Sequence, residues 1–127
     1  MYFAAIDTES LNNPLIVNGF DQIKVIIDHE QNSKASEYHH VFIIRIADKN
    51  LDQVLAKIRK LLKKGWYSLY WKGNIVLVQY KDKFFKLSLK DLSTHIEALK
   101  YGQAQEIERE FLNFRKYISR YKKFISN

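Results

Sequence analysis

Three strongly β-prone segments follow one another between residues 66 and 89, separated only by Lys72-Gly73-Asn74 and Lys81-Asp82-Lys83. Turns this short join antiparallel neighbours, because a parallel connection needs a crossover of a dozen or more residues. Segments 66–71, 75–80 and 84–89 are therefore predicted to form an antiparallel meander. The middle one is almost continuously apolar and is placed centrally in the sheet.

The clearest helix precedes the meander. Leu51, Val54, Leu55, Ile58, Leu61 and Leu62 fall on one helical face. This predicts a helix over 51–64, with Asn50 as N-cap, Gln53 as its capping-box partner and Gly65 as the stop. Upstream, the β-branched run 41–46 is predicted to be a strand buried on both faces, and the alternation over 22–28 a second strand. Segments 2–6 and 15–17 have the character of short strands, and the polar stretch 29–39 that of a loop. Downstream, a short helix is predicted over 92–101, ended by Gly102, and a longer one over 104–125. The result is a single α+β domain spanning 1–127. Its sheet is mostly antiparallel, with one central helix and two C-terminal helices, mainly on one face. The strand–helix–strand–strand segment 41–80 is compatible with a ferredoxin-like half, whose crossover would make its flanking strands parallel and right-handed.

Composition excludes several chemistries. The chain has no cysteine, so disulfides, thiolate metal sites and cysteine nucleophiles are ruled out, and a reducing cytoplasm is the expected setting. There is no secretory signal pattern and no apolar run long enough to cross a membrane. No phosphate-binding loop, nucleophile elbow or metal-ligand spacing occurs, so no catalytic set, metal or cofactor is expected.

Charge is the strongest functional hint. Residues 1–50 carry four basic against seven acidic side chains, whereas residues 51–127 carry seventeen against seven. Net charges of −3 and +10 point to an anionic partner for the C-terminal part. Candidate contacts are Lys57, Arg59, Lys60, Lys63 and Lys64 on the central helix, and Arg115, Lys116, Arg120, Lys122 and Lys123 on the last. Were the two clusters aligned, they would neutralise several phosphates, with Trp66, Tyr67, Tyr70, Trp71, Tyr117 and Tyr121 available to stack on bases.

Two further patterns bear on function. Ile107, Phe111, Phe114, Ile118, Tyr121 and Ile125 step by four and three residues, a narrow heptad-like stripe. Its cover is either the chain's own sheet or a second copy, so Ile107, Phe111, Phe114 and Ile118 are candidate interface residues of a homodimer. A membrane-surface helix is a third use of the same stripe. His29, His39 and His40 bracket the polar loop beside Asp28, Glu30 and Glu37, types that serve acid–base work or metal binding. A small metal-independent ribonuclease would draw on residues such as Tyr38, His40, Arg45 and Tyr70.

Gly65-Trp66-Tyr67, the 75–80 run, Lys83-Phe84-Phe85, Ala98-Leu99-Lys100-Tyr101-Gly102, Phe111 and Phe114 resemble a group of small uncharacterised bacterial proteins over about residues 41–114. The resemblance implies a compact α+β domain and transfers no activity. The favoured expectation is a non-enzymatic binding module with a basic surface for nucleic acid or an acidic protein. Self-association through the last helix comes second and a ribonuclease third.

Overall fold

The computed structural model describes residues 1–29 and 38–125. Most of the loop predicted over 29–39 lies outside the described residues, as do Glu30, Glu37 and the side chains of Asp28, His29 and Tyr38.

Among the described residues, six strands form one antiparallel sheet: β1 (Tyr2–Asp7), β2 (Asp21–His29), β3 (Tyr38–Ile46), β4 (Tyr67–Lys72), β5 (Ile75–Tyr80) and β6 (Phe84–Ser88). Their order across the sheet is β2-β3-β1-β4-β5-β6. The meander forms as predicted. Lys72 pairs with Ile75, leaving the two-residue loop Gly73-Asn74, with Gly73 at φ 58°, a conformation that glycine adopts without steric cost. Strand β1 is antiparallel to both β3 and β4, so the strands flanking the central helix α1 (Leu51–Leu61) run parallel with β1 inserted between them. The crossover expectation holds for direction, but the two strands are not neighbours.

The helices occupy both faces, not mainly one. On the first face, α1 sets Val54 and Ile58 against Ala4, Ile6, Ile44, Ile46, Tyr70 and Leu77. On the second, α2 (Ile96–Ala104) and α3 (Phe114–Ile125) cover Ala5, Val41, Ile43, Leu69, Trp71, Val76 and Val78. Alternation along each strand feeds both cores. The apolar runs in β3 and β5 are the sequence's record of that double burial.

Several local expectations are corrected. Segment 15–17 lies in a 3₁₀ turn, Pro14–Gly19, capped by Asn13. Helix α1 ends at Leu61, before Gly65. The chain then turns extended, with Leu62 bridging Leu11 and the Lys63 amide donating to the Ser10 carbonyl at 2.8 Å. Gly102 lies inside α2 as a buried close-approach residue, with Leu112 and the Tyr80 hydroxyl against it. The long helix over 104–125 is broken. Glu106 takes φ 64°, a 3₁₀ turn spans Arg109–Leu112, and α3 begins only after Asn113, whose side chain accepts the Lys116 amide at 3.2 Å.

Candidate functional site

The break between α2 and α3 makes the site. Segment 105–111 leaves the helical path and stands away from the second face of the sheet, at the end where β1 finishes and β3 starts. Between them lies a cleft of about 460 Å³. Its floor is built by outward positions of three strands: Ala5 and Asp7 on β1, His39 and Val41 on β3, Tyr67 and Leu69 on β4. These residues share a face because strand side chains alternate and Asp7 pairs with Val41 across the ladder. Gly65 and Trp66 line it as well, Gly65 lying beside the Gln105 carbonyl, and Glu106, Glu108, Phe111, Tyr117 and Tyr121 complete the lining.

The walls are braced. The Tyr67 hydroxyl donates to the Phe111 carbonyl, tying the 105–111 segment to the sheet. Phe3, Trp71, Tyr121 and Tyr117 stack in series, with ring centroids 6.1 to 6.3 Å apart, fixing the α3 side. Trp66 lies against the His39 ring at 5.6 Å.

Two carboxylate–imidazole pairs stand at this end of the sheet. Asp7 Oδ2 lies 2.7 Å from His39 Nδ1, and Glu9 Oε1 lies 2.6 Å from His40 Nδ1. The acids come from the end of β1 and the 3₁₀ turn Thr8–Ser10, whose Glu9 amide donates back to Asp7 Oδ1 at 2.9 Å. Burial, reinforced by a hydrogen bond to Glu9, pushes the Asp7 carboxyl up to about 7, with His39 opposing the rise. Glu9 meets a smaller burial penalty, and hydrogen bonds from Asp7, His40 and Thr8 pull it down to about 2. Asp7 is thus a proton-holding group facing the cleft, and Glu9 a fixed anion beside it.

This arrangement dictates a pH dependence. An unfolded Asp7 releases its proton near 3.8, whereas the folded chain keeps it to about 7. Asp7 therefore contributes stability that is present at low pH and lost as pH rises from about 4 to about 7. Glu9 acts in the opposite sense, and only below about 4.5. Urea unfolding at pH 5 and pH 8 is expected to show wild type losing stability where Asp7→Asn does not; equal losses in the two chains would contradict the buried-acid account.

The residues singled out from the sequence are not gathered in one place. His39 and His40 pair with Asp7 and Glu9, two acids that no sequence motif marks; their 32- and 31-residue separations are closed only by the β1–β3 register. Lys57, Arg59, Lys60, Lys63 and Lys64 lie on and just after α1, whereas Arg115, Lys116, Arg120, Lys122 and Lys123 lie on α3. Since α1 and α3 cover opposite faces of the sheet, the two clusters do not combine into one patch. Lys24 joins the second, its Nζ donating to the Phe124 carbonyl at 3.1 Å, with Arg120 over the Phe124 ring.

Of the stripe residues, Phe114, Ile118 and Tyr121 are buried in the chain's own core, while Ile107 and Phe111 are half-buried beside the cleft. Of the ribonuclease set, His40, Arg45 and Tyr70 are not brought together, and the Tyr38 side chain lies outside the described residues. Tyr70 is sealed in the first-face core, its hydroxyl donating to Gln79 Oε1 at 2.6 Å, and burial raises its pKa. Arg45 is exposed and paired with Asp21. His95 is buried, its Nε2 2.8 Å from the Ser88 carbonyl. No group of three metal-ligating side chains gathers among the described residues, and no helix among them is long and apolar enough to cross a membrane.

The Asp7–His39 pair can hold or pass a proton at the cleft floor. Among the described residues, no serine or threonine lines it as a nucleophile. No family model, curated protein or solved structure matches the chain.

Proposed function

We propose that this chain is a small binding domain whose ligand sits in the cleft between β1, β3 and β4 and the 105–121 segment. The observation that carries the reading is a cavity of ligand size in which a largely buried Asp7–His39 pair faces braced aromatic walls. Convergent polar groups with a displaced pKa, inside a mostly apolar cavity, are the usual mark of a binding or active site. A lining without serine or threonine among the described residues favours binding over acyl or phosphoryl transfer through such a hydroxyl.

A second reading keeps the anionic partner. Helix α3 carries five cations and no acid over twelve residues, and Lys24 adds a sixth beside it. That strip suits a nucleic-acid backbone.

A thermal-shift screen on wild type and Trp66→Ala separates the two. Trp66 is partly exposed but also packs on the first-face core, so ligand shifts in Trp66→Ala are read against that variant's own ligand-free melt. A cleft ligand at about a hundred times its Kd adds about 2.7 kcal/mol to folding, roughly 10 °C for a domain of this size. The expected result is a set of small ligands that stabilise wild type and lose the effect in Trp66→Ala. An oligonucleotide that stabilises both equally, and fails as salt rises, would move the function to α3.

A further inference from the structure

We infer that the cleft selects an organic cation, a protonated or quaternary amine, and this deepens the cleft-binding reading and rests on it. The argument is charge complementarity inside an aromatic cavity. Two exposed acids, Glu106 and Glu108, line the cleft beside the Asp7–His39 pair, and among the described residues no lysine or arginine does. That is a local inversion in a chain whose formal net charge is +7.

Ring faces add a second source of attraction. An ammonium group is drawn to the negative face of an aromatic ring, tryptophan most strongly, then tyrosine and phenylalanine. Trp66 and Tyr117 are the lining rings that can present such a face, since Tyr121 is stacked between Trp71 and Tyr117. The stack of Tyr121 on Trp71, and the bond from Tyr67 to the Phe111 carbonyl, hold this cage in advance of binding. Little ordering of the walls is then left for the ligand to impose.

The same features count against other ligands. An anion would meet the two rim carboxylates and find no basic side chain among the described lining. An uncharged ligand would gain the apolar contact but neither attraction. A bare metal ion is disfavoured because no group of three ligating side chains converges among the described residues. The volume, about 460 Å³, exceeds a single ammonium head and leaves space for an attached apolar or hydroxylated body.

The test uses three probes of nearly one shape and three charges: choline, 3,3-dimethylbutan-1-ol and 3,3-dimethylbutanoate. Each is titrated into the full ¹⁵N-labelled chain while the Trp66 indole and Gly65 amide signals are followed. Choline is expected to move these signals with an affinity at least about tenfold above that of the alcohol, and the butanoate is expected to leave them in place. Glu108→Gln, at an exposed rim position, is expected to weaken choline several-fold with an unchanged spectrum elsewhere. If the alcohol binds as tightly as choline, the cation assignment is overturned while the cleft stands as a binding site. If no probe moves the cleft signals at tens of millimolar, both are overturned.

Discussion

Ile118→Glu is expected to abolish the folded state. Ile118 is 0% exposed at the middle of α3, flanked on the same face by Phe114 and Tyr121 and packed on the second face of the sheet. The substitution removes about 2–3 kcal/mol of apolar burial and places an unpaired carboxylate in a buried apolar site. Together these consume most of the roughly 5–15 kcal/mol that keeps a domain folded. Far-UV circular dichroism should show no cooperative melt from 25 °C upward, whereas Ile118→Val should cost only about 1 kcal/mol. A folded Ile118→Glu chain with half the wild-type mass in solution would contradict this, because it would mean that α3 faces a second copy instead of its own sheet.

Gly102→Ala is expected to destabilise the chain by about 2–3 kcal/mol, against the direction of helix propensity. In the interior of an exposed helix, alanine gains about 1 kcal/mol over glycine. Here a Cβ would fall 2.5 Å from Leu112 Cδ2 and 2.6 Å from the Tyr80 hydroxyl. Neither neighbour can yield cheaply. Leu112 is 1% exposed, and the Tyr80 hydroxyl is held by donation to the Ala98 carbonyl at 2.8 Å. Overpacking of this kind outweighs the propensity gain and lowers Tm by about 7–11 °C. Gly102→Ala combined with Leu112→Ala should lose less than the sum of the two single changes, since the second clears the space that the first fills. A higher Tm for Gly102→Ala would contradict the close packing of α2 on the 109–112 turn.

How legible the molecule is in its sequence follows from which forces are local. The meander is readable because Gly73-Asn74 and Lys81-Asp82-Lys83 leave no room for any other connection. Helix α1 is readable because its face repeats without interruption from Leu51 to Leu61. Its end is not, since Leu62 and Lys63 are drawn out of the helix by bonds to Leu11 and Ser10, which are distant in sequence. The sequence overextends the last helix because Ile107 and Phe111 keep the spacing of Phe114 and Ile118 while belonging to a different local structure. No glycine or proline stands at the break at Glu106, but Asn113 ahead of an apolar face is a usable cap signal.

The candidate site is less legible still. Its acids sit near the start of the chain and its histidines some thirty residues later, and only strand register joins them. The basic clusters are visible as composition, but their separation onto opposite faces depends on β1 lying between β3 and β4, with a helix layer on each side. From the sequence, the aromatic residues between 66 and 121 suit either a core or base stacking. The structure divides them, with Trp71 in the core and Trp66, Tyr67 and Tyr117 on the cleft.

The most direct measurement is amide and indole shift mapping on the ¹⁵N-labelled chain during titration with choline and, separately, with a mixed-sequence single-stranded RNA. The account predicts that choline shifts cluster at Asp7, His39, Gly65, Trp66 and Tyr117, with the lysines of α1 and α3 unmoved. Shifts confined to Arg115–Lys123 on adding RNA, with the cleft silent to choline, would contradict it and place the working surface on α3.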